Sequence, residues 1–290
     1  SFILSRLLPI SPNLVLLPML IIIEMAKPLT TVVPLKMKLS FFDLSVGIEE
    51  GHTKDELYQT LSDFKPDVVF HIGACSDTLV SDVNYIMQTN YISTKWIADW
   101  CYDNKVKLIY ASSASVYGTN GDNPTNLYGW SKYVAEQLVI TNGGIALRYF
   151  NVYGPLENNK GKMASVAYQM LQKQKEGQEI KLFPLKPKRD FVYIKDVISA
   201  NIYAVENYTE NAGDWYEVGN GVARTFEDVL DNLNIPYTYH DEKDIPNGYQ
   251  FYTESKKHKW MFGWESKWDL ENGLKDYILE LRNLSSDKIY

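Results

Sequence analysis

Val106-Lys107-Leu108-Ile109-Tyr110-Ala111-Ser112-Ser113-Ala114-Ser115, followed after a short gap by Tyr128-Gly129-Trp130-Ser131-Lys132, decides how the chain is read. The apolar run 106–111, closed by serines, reads as a buried strand, and residues 126–141 as an amphipathic helix. Tyr128 and Lys132 stand four residues apart, so both side chains share one helix face. A free tyrosine titrates near ~10, and bringing it to about 7 takes roughly 4 kcal/mol of preferential phenolate stabilisation. A neighbouring cation and a hydroxyl donor supply such stabilisation, which makes Ser113, Tyr128 and Lys132 candidates for proton transfer. A Tyr/Lys pair alone is common on solvated helices. The serine one strand earlier gives this pair its catalytic reading.

Outward from this unit, strand-like runs fall at residues 19–24, 38–43, 67–72 and 145–150, with helical patterns at 54–63 and 82–104. Strands alternating with helices of this length imply right-handed βαβ units. The expected fold class is α/β, a Rossmann-like doubly wound parallel sheet whose first βα unit is truncated or aberrant. Near-continuous apolar strands fit a sheet covered on both faces. Beyond Pro155 helices are expected at 162–176, 195–207 and 269–281, between long aromatic-rich loops. Residues 1–150 are therefore assigned to a cofactor domain, with 1–35 atypical. Residues 151–290 are assigned mainly to a smaller substrate-binding lobe that returns some segments to the first domain.

The 290 residues carry a net charge of −7, which argues against nucleic acid as a partner, since a phosphate backbone needs a basic face. Cys75 and Cys101 form neither a disulfide framework nor a zinc spacing, and four scattered histidines add no ligand pair, so no metal is expected. The apolar run 14–23, interrupted by Pro18, is far short of the ~20 residues that span a bilayer, and it lacks a signal-peptide pattern. No membrane association and a cytoplasmic location are the expectation.

Five motifs follow in order: Gly73-Ala74-Cys75-Ser76, Ser113, Tyr128/Lys132, Asn151-Val152-Tyr153-Gly154-Pro155 and Arg189-Asp190-Phe191-Val192-Tyr193. Together they resemble the nucleotide-sugar epimerase branch of the extended short-chain dehydrogenase/reductase superfamily. Arg148-Tyr149-Phe150, Lys160-Gly161-Lys162-Met163-Ala164-Ser165, Lys181-Leu182-Phe183 and Tyr249-Gln250-Phe251-Tyr252-Thr253 narrow it. They are similar to the ADP-L-glycero-D-manno-heptose 6-epimerase family of lipopolysaccharide biosynthesis, over about residues 38–278.

That resemblance implies epimerisation of a nucleotide-diphosphate sugar by transient oxidation with bound NADP or NAD. Reduction on either face of the transient ketone needs an acid/base on each side. Tyr128 would serve one epimer and Lys160 the other, with Ser113 hydrogen-bonding the reacting oxygen and Lys132 holding the nicotinamide ribose. Asp43, Gly73, Ala74, Cys75, Ser76, Asn90, Lys132 and Val152 would line the cofactor. Ser113, Asn151, Lys162, Gln169, Phe183, Arg189 and Tyr249 would contact substrate, Arg189 pairing with the diphosphate through its forked donors. Family analogy adds a homo-oligomer.

The chain departs from the family pattern at Lys162, where a serine is expected, at Gln169, where a histidine is expected, and in a shortened 183–189 loop. The larger departure lies upstream. No glycine precedes Gly47, whereas the Rossmann first turn needs glycines to approach the pyrophosphate. Ser1-Phe2-Ile3-Leu4-Ser5 resembles the tail of the family's Gly-Phe-Ile-Gly-Ser with both glycines replaced, and Glu24 stands where an acidic residue would meet the ribose. A truncated remnant and a change of reading frame over residues 1–35 both account for this, and true loss of the cofactor loop ranks behind them.

Blander readings stand beside these. Lys160 and Lys162 could be solvated loop charges, Cys75 a small packed residue, Tyr249 part of an aromatic core, and Trp96 and Trp100 core or oligomer interface. Alternative activities are another nucleotide-sugar 4-epimerase or reductase, and a cofactor-deficient pseudoenzyme acting as a binding partner. A 4,6-dehydratase is disfavoured, because Ala114-Ser115 replaces the Asp-Glu pair used for elimination.

Overall fold

The computed structural model describes residues 19–25, 37–43, 53–119, 121, 123–158, 160–246 and 249–286. In chain order these form β1 (Met19–Met25), β2 (Met37–Asp43), α1 (Lys54–Phe64), β3 (Val68–His71), α2 (Val83–Met87) and α3 (Ser93–Asn104). There follow β4 (Lys107–Ser113), α4 (Leu127–Thr141), β5 (Ile145–Tyr149), β6 (Asn151–Tyr153), α5 (Val166–Lys175), β7 (Lys181–Leu182) and β8 (Lys188–Tyr193). The chain ends with α6 (Ile194–Glu206), α7 (Tyr208–Asn211), β9 (Asp214–Val218), β10 (Ala223–Thr225), α8 (Phe226–Leu233), β11 (Thr238–Tyr239) and α9 (Leu270–Ser286).

The main sheet has the order β2-β1-β3-β4-β5-β9, and β3, β4, β5 and β9 run parallel. This is the expected Rossmann-like parallel α/β sheet. Its central strands are apolar throughout because successive side chains enter two different cores. Val68, Phe70, Ile109, Ile145 and Leu147 face α6 together with Trp260, Met261 and Trp264. Val69, Leu108, Tyr110 and Ala146 face Leu57 and Leu61 of α1, Ile97 and Trp100 of α3, and Ala135 and Val139 of α4. Each such aliphatic side chain contributes about 1.5–3 kcal/mol on burial, so truncating Ile109 would loosen the α6 side first.

The first strands depart from the expected parallel order. β1 runs antiparallel to both β2 and β3, with Leu20 opposite His71 and Ile23 opposite Val68. A parallel crossover from β1 to β2 needs a dozen or more residues, usually a helix. Residues 26–36 are too few and carry Pro28 and Pro34, which oppose a helix. The polarity of β1 brings Met19 opposite Asp43, so β2 ends on the same sheet edge as β3.

Two helices also differ from the sequence pattern. The span 82–104 is interrupted by a π-helical turn at Gln88–Ile92, a feature frequent at functional sites. Past Pro155 a 3-10 turn at Gly161–Met163 precedes α5, whose start is set by Ser165 accepting from the Tyr168 amide as N-cap. In the second half of the chain β10, β8 and β6 form a three-stranded sheet. It packs with α5, α8 and α9 around Tyr153, Phe191, Tyr193, Leu274 and Tyr277.

Candidate active site

Ser113 ends β4 and lies in register with Tyr149 of β5, so Ser113 and the following Asn151 and Val152 share one edge of the sheet. Asn126 caps α4 by accepting the Gly129 amide at 2.8 Å. Gly129 lets that helix start approach the turn after Ser113. The Ser113 hydroxyl accepts the Ser115 amide at 3.1 Å and lies beside the Tyr128 phenol. Burial raises the Tyr128 pKa above its ordinary value; the Ser113 hydroxyl opposes this, and the nearby Cys75 thiol adds to the rise. The direction is opposite to the lowering expected from sequence, because desolvation outweighs the single hydroxyl donor.

Lys132 lies one helical turn on and is 2% exposed. Its ammonium sits 4.2 Å from the centroid of the Tyr110 ring. Burial pulls its pKa from 10.5 to about 7, against the attraction of Glu136. Glu136, on the same stripe of α4, accepts Ser112 Oγ at 2.6 Å and Arg148 Nε at 2.8 Å. This buried pair fixes α4 on β4 and β5. Beside it, Thr94 Oγ1 donates to the Asn90 carbonyl at 2.6 Å, so His71 Nε2 must donate to Thr94 across 2.8 Å. His71 Nδ1 has no partner among the described residues, and burial depresses the ring pKa to about 3.

Gly73, Ala74 and Cys75 follow β3 as a half-buried strip, while Ser76 is exposed. Asn90, in the π turn, holds this strip by accepting the Cys75 amide at 2.8 Å and donating to the Cys75 carbonyl at 2.9 Å. It also donates to Ser131 Oγ at 2.9 Å, tying the strip to the helix of Tyr128. Asp43 ends β2; its side chain, like Ser1–Ser5 and Glu24's carboxylate, lies outside the described residues.

Asn151, Val152 and Lys160 line one cavity of about 250 Å³, together with Phe150, Glu157, Met163, Ser165, Phe191 and Phe226. Arg189 sits beside it, its guanidinium 5.5 Å from the Phe226 ring and 5.5 Å from the Tyr249 ring. Burial lowers the Arg189 pKa, while the electrostatic interaction with the Tyr249 phenol works the other way. Phe183 meets Tyr249 edge-on at 5.1 Å and His240 at 5.3 Å, so Phe183, Arg189 and Tyr249 form one cluster.

Two expected contacts fall elsewhere. Lys162 is exposed and does not line the cavity. Gln169 turns under the loop, donating to Ala164 O at 2.7 Å and Lys162 O at 3.2 Å, because those carbonyls need donors. Asp190 accepts the amides of Asn220, Gly221 and Ser255 at 2.6, 2.9 and 2.8 Å, a structural role. The sequence reading missed Glu136, Glu157 and His240. Glu136 continues the Tyr128/Lys132 stripe and Glu157 follows Gly154-Pro155, so spacing could have marked both; His240 carries no local signal.

This edge brings a pair of hydroxyls, a buried lysine and a small-residue strip together beyond parallel strands. The chain belongs to the NAD dependent epimerase/dehydratase family, whose pattern matches residues 48–219. It is 39% identical over 209 residues to ADP-L-glycero-D-manno-heptose-6-epimerase of Brachyspira hyodysenteriae, and spans 65% of that relative with 65% of its own length. It is similar in structure to the Helicobacter pylori ADP-L-glycero-D-manno-heptose-6-epimerase, at TM-score 0.68 and 31% identity over 78% of this chain and 75% of that one. UDP-glucose 4-epimerase of Thermotoga maritima, solved with UDP-glucose, gives TM-score 0.70 and 25% identity over 80% and 82% of the two chains.

The donor set fits the nicotinamide half of such a cofactor. Lys132 is a buried cation with no carboxylate within ion-pair distance among the described residues, one turn from a hydroxyl pair. The half-buried Gly73–Cys75 strip carries only small side chains, which suit close backbone approach. The segment expected to cradle the pyrophosphate lies outside the described residues.

Proposed function

We propose that this chain interconverts ADP-D-glycero-D-manno-heptose and ADP-L-glycero-D-manno-heptose, holding NADP or NAD through Gly73, Ala74, Cys75, Lys132 and Val152. When bound, the nicotinamide supplies reversible two-electron oxidation of the sugar carbinol. Tyr128 takes the carbinol proton from one epimer and Ser113 steadies the reacting oxygen. Lys160 does the same for the other epimer from the cavity side. Arg189 and Tyr249 hold the diphosphate and nucleotide end, beside Phe183.

The observation that supports this reading is a juxtaposition at the ends of β4 and β5. The Ser113 and Tyr128 hydroxyls stand at the end of β4, and the cavity lined by Asn151, Val152 and Lys160 follows the end of β5. The 39% identity to a heptose 6-epimerase favours the heptose over other sugars. Incubation of the purified chain with ADP-D-glycero-D-manno-heptose and NADP, with the epimers resolved by proton NMR, should give an equilibrium mixture. Turnover of UDP-glucose but not the heptose would replace this reading with a 4-epimerase.

One observation favours a second reading, a cofactor-deficient binding partner: β1 runs antiparallel to β3. Calorimetry with NAD and NADP separates the two. Retained folding with no nicotinamide binding supports the pseudoenzyme.

A further inference from the structure

Glu157 is 3% exposed and lies in the loop that joins β6 to α5, yet it faces no cation within ion-pair distance among the described residues. Its carboxylate is satisfied by the loop's own two ends. Oε1 accepts the Gly154 amide at 3.1 Å and the Ser165 hydroxyl at 2.8 Å, and Oε2 accepts the Ser165 amide at 2.5 Å. Three donors on one carboxylate compensate its burial and join residue 154 to residue 165 through a single side chain.

Between those ends the backbone makes consecutive turns centred on Lys160. The Lys160 amide donates to Glu157 O at 3.0 Å, Met163 donates to Lys160 O at 3.0 Å, and Ala164 donates to Gly161 O at 3.3 Å. Gly161 takes φ +52, a left-handed conformation that glycine adopts without penalty. Gln169 holds the far side through Lys162 O and Ala164 O. Glu157 and Lys160 then line the same cavity. A lysine on an unconstrained loop would sample many positions. Here the backbone that carries it is closed at both ends.

We propose that Glu157 is the positioning residue for Lys160: by bonding Gly154 and Ser165 it closes the loop and presents the Lys160 amine to the cavity. The inference rests on reading Lys160 as an acid/base, and it concerns a carboxylate that does not itself touch the sugar. Glu157 acts only through the lysine, so its effect on turnover depends on the lysine being present. Ser165 links the clamp to α5, since its hydroxyl both caps the helix and donates to Glu157.

A double-mutant cycle on the full chain, with Glu157→Ala, Lys160→Ala and the double variant, tests the dependence. Glu157→Ala should lower kcat at least about tenfold with KM for the nucleotide sugar little changed, and should add nothing to Lys160→Ala. Glu157→Gln keeps one acceptor oxygen and should fall between, which preserves the test if the alanine variant folds poorly. Losses that multiply in the double variant overturn the proposal. Normal turnover by Lys160→Ala instead sinks the acid/base reading on which it rests. Placement is read separately by limited trypsin digestion: cleavage after Lys160 should accelerate in Glu157→Ala more than cleavage after Lys186. Equal acceleration at both sites overturns the clamp whether or not the chain turns over sugar.

Discussion

Gly129 lies against Ser115 so closely that a Cβ at residue 129 would come within 2.6 Å of the Ser115 carbonyl oxygen. The contact sets how near the first turn of α4 approaches the end of β4, and therefore whether Tyr128 reaches Ser113. Gly129→Ala should push the helix start outward. The expected cost is about 1–3 kcal/mol of stability from overpacking, and turnover should fall about a hundredfold as the phenol leaves Ser113. Urea unfolding and steady-state rates on the same preparation check both; wild-type turnover in Gly129→Ala would sever the link between this contact and the site.

Tyr128→Phe removes the hydroxyl beside Ser113 while keeping the ring. Turnover is expected to drop by about 10²–10⁴, with nucleotide-sugar binding by calorimetry unchanged. Loss of binding together with turnover would instead make Tyr128 a packing or substrate-holding residue.

The buried His71 and Lys132 give stability a definite pH slope. Both bind their proton more weakly folded than unfolded: His71 at about 3 rather than 6.5, Lys132 at about 7 rather than 10.5. The unfolded chain holds more protons in each window, so each group makes stability rise with pH there. His71 contributes between pH 3 and 6.5, and Lys132 between pH 7 and 10.5. Urea midpoints should therefore be lower at pH 4.5 than at pH 6.5, and His71→Gln should flatten that interval. An unchanged slope in the variant would mean that His71 is not held neutral.

Glu136 and Arg148 pair at 2.5 Å with side chains 0% and 7% exposed. Glu136→Gln leaves the guanidinium buried without its counter-charge, and should cost about 3–5 kcal/mol. The double change Glu136→Gln with Arg148→Met should cost less than Glu136→Gln alone. Strictly additive losses would show that the two side chains do not act as a pair.

The central sheet was legible because burial on two faces writes itself into residues such as Val68-Val69-Phe70 and Leu108-Ile109-Tyr110, whose neighbours enter opposite cores. The Ser113–Tyr128 unit was legible because both residues sit at local element ends. Strand direction was not: an apolar run such as Leu20-Ile21-Ile22-Ile23 reads the same in either polarity, and only its pairing with β3 shows it to be antiparallel. The loop contacts of Gln169 were hidden for a related reason. A substrate amide and a loop carbonyl are equivalent partners for it until the chain is folded. The phenol's raised pKa was missed because sequence spacing records charged neighbours but not desolvation.

The π turn at Gln88–Ile92 holds one residue more than an α-helix would use over the same rise. Deleting a single residue there would heal the helix. The flanking turns would keep their register, but the residues inside the turn, Asn90 among them, would be aimed differently. Asn90 would then swing away from Cys75 and Ser131, and the strip beyond β3 would lose the side chain that holds it to α4. Regular helix and anchored strip are therefore competing states of this backbone, chosen by chain length. In-frame indels at this point should be the changes that uncouple the two halves of the edge without substituting any of the named side chains.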